Sequence, residues 1–66
     1  MPMLKVIEVL AESKKSWEDA AEVAVSIAAK TVRGIRSINV ENLSATVDKG
    51  KITHYRLNAK ISFTLE

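Results

Sequence analysis

The side chains with the most chemical potential are four polar residues that recur at every second position near the C-terminus: His54, Arg56, Asn58 and Lys60. Alternate residues of a β-strand lie on one face of a sheet, so these four would share a face. Copies gathered around a symmetry axis would form a strongly basic surface that could hold a phosphate-bearing ligand. Alternatively, these residues form ion pairs with Glu41 or Glu66 of neighbouring subunits. The sequence leaves both hypotheses open.

Several other kinds of site are missing from the sequence. There is no cysteine, which removes thiolate nucleophiles and cysteine-based metal sites. No serine lies in a nucleophile-elbow motif, and two glycines cannot build a glycine-rich phosphate loop. We therefore assign no catalytic residues and predict that the protein is not an enzyme.

Metal binding has weak support. His54 is the only histidine, and zinc sites need more such ligands. Calcium needs about six to eight oxygen ligands, so a site would have to combine groups such as Glu8, Glu12 and Asp48 across subunits. The sequence assigns no metal ligands.

Charge and hydropathy exclude further classes of partner. The ten Lys and Arg residues are interleaved with eight acidic residues and give a net charge of +2, so nucleic acid is not a predicted partner. No run approaches the roughly 18 apolar residues that cross a bilayer. Residues 1–10 show no signal-peptide cleavage pattern. We predict a cytoplasmic protein that does not bind membranes.

The elements that would position the polar cluster form a single domain over residues 1–66. Residues 4–10 predict a first strand, and Ser16 caps a helix over residues 17–33 that ends before Gly34. Residues 36–47 form a second strand whose apolar phase slips near Glu41 and Asn42, which predicts a β-bulge. A loop at 48–50 leads to a third strand, 51–65. The fold class is α+β with the order β-α-β-β.

Two features predict an assembly. The third strand alternates without interruption and would span roughly 50 Å, much longer than the helix. The polar residues of the helix occupy an arc of only roughly 120°, so its apolar side is too wide for one small sheet to cover. A single core of this size supplies only roughly 3 to 5 kcal/mol, and oligomerisation is the common remedy without disulfides. Trp17 at the helix start is interpreted as a core or subunit-interface anchor.

The element order and several segments together resemble the dodecin family. This resemblance implies a three-stranded antiparallel sheet that partly wraps one helix, and twelve subunits that form a hollow sphere. It covers nearly the whole chain. The segments that carry it are KVIEV at 5–9, SWEDA at 16–20, KTVRGIR at 30–36, GKI at 50–52, YR at 55–56 and KISFTLE at 60–66.

The resemblance also implies a ligand. Flavin-binding dodecins stack the flavin ring on a tryptophan at the start of the second strand and hydrogen-bond it with a glutamine of the third. Ser37 and Arg56 stand at these positions, and they offer neither an aromatic surface nor an acceptor for the ring N–H. With His54 and Asn58 they are the candidate ligand-binding residues.

Two functions follow from the resemblance. The first is a non-enzymatic homododecamer that sequesters or stores a flavin, riboflavin or FMN, or a similar small molecule between subunits. The second is a flavin-free shell with a structural or calcium-binding role.

Overall fold

The computed structural model describes residues 3–65 and contains four elements in the predicted order. These are β1 (Met3–Ser13), α1 (Trp17–Ala28), β2 (Ile35–Asp48) and β3 (Lys51–Leu65). The strands form one antiparallel sheet in the order β1-β3-β2, so β3 is central. The predicted α+β class, with a three-stranded antiparallel sheet and one helix, is confirmed. Glu66, considered above as an ion-pair partner, lies outside the described residues.

The first strand is longer than predicted. It continues to Ser13, and its register with β3 runs from Met3 opposite Leu65 to Ser13 opposite Tyr55. The polar residues after Leu10 hid this extension, because their partners lie on β3 and not in the local sequence. Ser13 is buried, and its hydroxyl donates to Asp19 Oδ2 over 2.6 Å.

The helix begins as predicted and ends earlier than predicted. Ser16 is the N-cap, and its Oγ accepts a hydrogen bond from Asp19 N at 3.0 Å. The predicted end near Arg33 is wrong, because the helix stops at Ala28. After Ala28 the backbone hydrogen bonds include ones that span three residues and not four: Thr31 N donates to Ala28 O at 3.0 Å. The Thr31 hydroxyl also donates to Ala28 O. Such three-residue bonds are common where a helix closes.

The hairpin of β2 and β3 agrees closely with the sequence pattern. The register shifts between Val40 and Asn42, which leaves Glu41 as the bulged residue, as predicted. The loop has two residues and not three, because Asp48 already pairs with Lys51. Its residues, Lys49 and Gly50, both have positive φ, 52° and 78°, which is the backbone of a type I′ turn.

The core of the subunit is small. Alanines at 20, 24 and 28 bring α1 close to the sheet. Leu57 and Ile61 are the only large side chains of the described residues that are fully buried. Ten large hydrophobic side chains remain exposed in the subunit: Met3, Leu4, Val6, Leu10, Ile27, Val40, Leu43, Val47, Ile52 and Leu65.

Candidate functional site

The predicted polar cluster lies on the sheet face opposite the helix. Leu57, Ala59 and Ile61 pack in the core with α1, so the alternate residues of β3 point the other way. We call this second surface the open face. Residues directly opposite on antiparallel strands share a face, and the register therefore also assigns it neighbours on β1 and β2. Around the cluster these are Glu8, Leu10, Glu12, Asn39, Asn42, Ser44 and Thr46.

Arg56 is paired with an acid of its own subunit. Its Nε lies 3.1 Å from Glu12 Oε1, and the two side chains are 35% and 48% exposed. The Nε atom is buried and has no hydrogen-bond partner in the described part of the chain, so the contact is electrostatic without hydrogen-bond alignment. The charge of the guanidinium is thus compensated by Glu12, while its buried Nε–H makes no hydrogen bond within residues 3–65.

Lys60 is likewise paired. Its Nζ lies 3.1 Å from Glu41 Oε1, and Asn39 Nδ2 donates to the other oxygen of Glu41 at 3.3 Å. The hydrogen bond from Lys60 to Glu41 and the charge of that carboxylate raise the pKa of Lys60, and the charge of Glu8 adds to the effect. The bulge at Glu41 therefore turns an acid towards the central strand.

These pairs change the interpretation of the open face. Arg56 and Lys60 face the three carboxylates of Glu8, Glu12 and Glu41, so the strongly basic surface considered from the sequence is wrong. The ion-pair alternative describes the face better, although both pairs form within one subunit. Sequence patterning missed the Glu12 partner because it depends on the register between β1 and β3.

Ser37 and Arg56 do not meet in one subunit. Ser37 lies opposite Ser62, and the two hydroxyl oxygens are 2.5 Å apart. Ser62 and Arg56 are six positions apart on β3, a distance of about 20 Å along the strand. A small ligand that touches both positions therefore needs a second subunit, and their ligand-binding role stays a prediction.

The other two candidate residues share the open face with Arg56. His54 is half-buried, and its Nδ1 lies 3.4 Å from Thr46 Oγ1. Asn58 lies between Leu10 and Asn42 in the sheet. The structure thus places His54 and Asn58 in one row with Arg56 on the open face.

The acids considered for calcium are also dispersed. Residues 3–65 hold no group of three His, Asp or Glu side chains close enough to bind one metal ion. Glu8 and Glu12 are four residues apart on β1, or about 13 Å along the strand, and Asp48 lies at the hairpin turn. A calcium site on these residues requires carboxylates from several subunits.

Trp17 fastens the helix start to the sheet. Its Nε1 donates to Ser44 O over 2.9 Å, and its ring meets the edge of Tyr55 with centroids 4.8 Å apart. These contacts agree with the interpretation of Trp17 as an anchor. The ring also borders a shallow apolar recess of about 390 Å³ with Val40 and Leu43.

Sequence reasoning did not locate the larger recess on the other side of the helix. It lies between α1 and β1, has a volume of about 490 Å³, and is lined mainly by aliphatic side chains. The wide apolar arc of the helix was the signal for it, but the strand that forms the second wall could not be identified without the sheet order.

The one helix of residues 3–65 is not long and apolar enough to cross a membrane.

Comparisons with known proteins agree on one family. A family model described as Dodecin matches residues 3–66. Calcium dodecin of Mycobacterium tuberculosis is 41% identical over 66 residues, which cover 98% of this chain and 92% of that protein.

Solved structures support the same family. The crystal structure of calcium dodecin from Mycobacterium tuberculosis, described as a calcium chelating antigen with a novel calcium-binding site, matches with a TM-score of 0.84 and 38% identity, covering 97% and 91% of the two chains. The dodecin of Streptomyces coelicolor matches with a TM-score of 0.95 and 26% identity, covering 98% and 93%.

Proposed function

Because the chain belongs to the dodecin family, we propose that it is a non-enzymatic binding protein that works as a hollow homo-oligomer, with twelve subunits as the family resemblance implies. One observation carries the assembly: among residues 3–65, ten large hydrophobic side chains are exposed, whereas two are fully buried. Exposed apolar area is worth about 25 cal/mol per Å² when it is covered. Covering these side chains at subunit contacts would therefore stabilise an assembly.

Calcium is the first candidate ligand, and to bind it Glu12 and Glu41 would have to exchange their ion pairs with Arg56 and Lys60 for the metal. The open face carries Glu8, Glu12 and Glu41, and carboxylate oxygens are preferred calcium ligands. One subunit cannot supply a full set, but several open faces at a symmetry axis would multiply these oxygens. The resemblance to calcium dodecin supports the same ligand.

Flavin is the second candidate, and one observation favours it. The Arg56 side chain is 35% exposed although its Nε is buried, so the terminal N–H groups of its guanidinium can donate to a carbonyl or phosphate oxygen. Against this, Ser37 provides no ring to stack on, and its hydroxyl is engaged with Ser62. A flavin held here would lack the stacking energy of about 0.5 to 1.5 kcal/mol that an aromatic ring supplies.

The assembly is tested by the native mass of the purified protein. Twelve subunits of 7.3 kDa give 12 × 7.3, or about 88 kDa. Native mass spectrometry and light scattering should give this value at micromolar concentration. A folded 7.3 kDa monomer would reject the proposed function.

The ligand is tested by two titrations on the same particle. After treatment with a chelator, calcium should raise the melting temperature and release heat on binding, whereas magnesium at equal concentration should do less. Glu8→Gln and Glu12→Gln should weaken the calcium effect, and Glu18→Gln, on the helix, should not. If calcium changes neither signal, the calcium role is wrong.

The flavin alternative needs its own titration. Riboflavin and FMN fluorescence would be followed as protein is added, and quenching at micromolar protein would support flavin binding. The double variant Ser37→Trp with Arg56→Gln restores the side chains that the family uses, so it should quench more strongly than the natural chain. An unchanged titration would contradict the assignment of these two positions.

A further inference from the structure

Two exposed apolar surfaces of the subunit lie on different elements and carry opposite charges around them. We define the hairpin tip as residues 47–52 and the α1–β1 groove as the recess between the helix and the first strand. We propose that the hairpin tip of one subunit inserts into the α1–β1 groove of the next. This contact rests on the homo-oligomer proposed above, and it specifies which surfaces join.

The hairpin tip presents a rigid apolar pair. Val47 and Ile52 lie directly opposite each other, and they are 64% and 49% exposed. The type I′ turn at Lys49 and Gly50 fixes the backbone beyond them. A preformed tip loses little conformational entropy when it binds, which favours insertion.

The α1–β1 groove is an apolar recess. Its volume is about 490 Å³, with walls from Ile7 and Val9 on the strand and from Val23 and Ile27 on the helix. The small side chains of Ala11, Ala24 and Ala28 line its base and leave the recess open. Ile27 is 59% exposed, so this wall lacks a partner in the subunit. A pair of β-branched side chains suits such a recess.

The charges around the two surfaces are opposite. The tip carries Lys49 and Lys51 with one acid, Asp48, and all three are exposed. On the helix, exposed Glu22 adjoins Val23 and Ile27 at the rim of the groove. Lysines of an inserted tip would therefore approach an acid, and two copies meeting tip to tip would bring like charges together. Charge complementarity of this kind selects the partner surface.

A tip-to-groove contact has a consequence for the assembly. We place the tip of each subunit on one neighbour and its groove on another, because a reciprocal exchange of tips within one pair would close a two-fold dimer. Contacts of this heterologous type continue until a rotation closes the ring, whereas a contact between identical surfaces stops at a dimer. The proposed contact therefore produces closed assemblies of more than two subunits.

Disulfide trapping tests the contact in the full chain, which has no cysteine of its own. The double variant Val47→Cys with Ile27→Cys should form a ladder of covalent oligomers on a non-reducing gel after mild oxidation. The matched control, Val47→Cys with Glu18→Cys, places the second thiol on the flank of the helix that borders the other recess, and it should stay monomeric on the gel. Each single variant should also stay monomeric.

Several outcomes would overturn the proposal. Dimers from Val47→Cys alone would mean that tips meet tips, and a ladder from the control would place the tip in the recess beside Trp17. No ladder from the double variant, in particles of wild-type mass, would also reject the contact. A wild-type protein that is monomeric would instead reject the proposed homo-oligomer.

A mixing experiment covers the case in which a cysteine variant fails to assemble. Ile52→Asp should block the tip and Ile27→Asp the groove, because each places a charge in an apolar contact. Both residues are exposed, so the subunit fold should survive, and circular dichroism would check this. Each variant alone should be smaller than the wild type, whereas an equal mixture should form a 1:1 pair through the intact tip of one and the intact groove of the other. A mixture that shows only the sum of its components refutes the contact.

Discussion

Leu57 is one of the two large side chains of residues 3–65 that are fully buried. It is 1% exposed, and its core neighbours include Ala20, Ala24 and Ala59. Leu57→Ala leaves a cavity that these alanines cannot fill, because they have no rotamers with which to relax. We therefore expect a loss in the upper part of the usual range, about 3 to 5 kcal/mol.

That loss equals the whole stability that a single core of this size supplies, roughly 3 to 5 kcal/mol. A Leu57→Ala subunit should thus be unfolded when it is dissociated and folded only within the assembly. In a domain of this length each kcal/mol shifts the melting temperature by about 4 to 8 °C, so the assembled variant should melt at least about 12 °C lower than the wild type. Its melting temperature should also rise with protein concentration, as mass action requires.

The measurement is thermal unfolding followed by far-UV circular dichroism at two protein concentrations. Leu57→Met is the matched control, because a swap that conserves volume costs less than about 1.5 kcal/mol. If Leu57→Ala melts within a few degrees of Leu57→Met, the alanine-rich core does not carry the stability assigned to it.

Three other substitutions report on separate features. Trp17→Phe keeps the ring but loses the indole hydrogen bond, so denaturation should show a loss of about 0.5 to 1.5 kcal/mol. Gly34→Ala should lower the free energy of unfolding by about 1 to 3 kcal/mol in the same assay. Gly50→Ala should lower it less. Both glycines have positive φ, but the new Cβ at Gly34 would lie 2.5 Å from the hydroxyl of Thr64, whereas at Gly50 it would contact nothing within 4 Å. The pKa of Lys60 is raised above its usual 10.5 by nearby carboxylates, so its contribution to stability is complete below that pH and is lost as pH rises through the folded-state pKa. Lys60→Met should therefore lose less stability than the natural chain when the pH is raised above 10.5.

The hairpin could be predicted closely because its signals are local. The alternation of β3 fixed its bounds at Lys51 and Leu65, and the phase slip located the bulge at Glu41. The end of the helix could not be predicted, because the residues after Ala28 keep an apolar helical pattern although their backbone bonds tighten. Pattern alone does not distinguish a last helical turn from the approach to a strand.

The site was less predictable for the same physical reason. That His54, Arg56 and Asn58 share a face follows from strand periodicity. That Arg56 faces Glu12 depends on the pairing of β1 with β3, which nothing near either residue encodes. Ser37 and Arg56, the predicted ligand positions, lie far apart in one subunit, so a small ligand that touched both would need contacts from a second chain.

The central place of β3 constrains how the chain folds. Its partner β1 lies 65 − 3 = 62 positions away at one end of the register and 55 − 13 = 42 at the other, whereas β2 is joined to it by a two-residue turn. Pairing between strands that are distant in sequence is slow, because the entropy cost of closing a long loop comes before any hydrogen bond between the strands forms. We expect the β2–β3 hairpin to form first. One edge of β3 then stays without hydrogen-bond partners until β1 pairs with it. During synthesis on the ribosome β1 emerges first and stays unpaired until the last strand follows it.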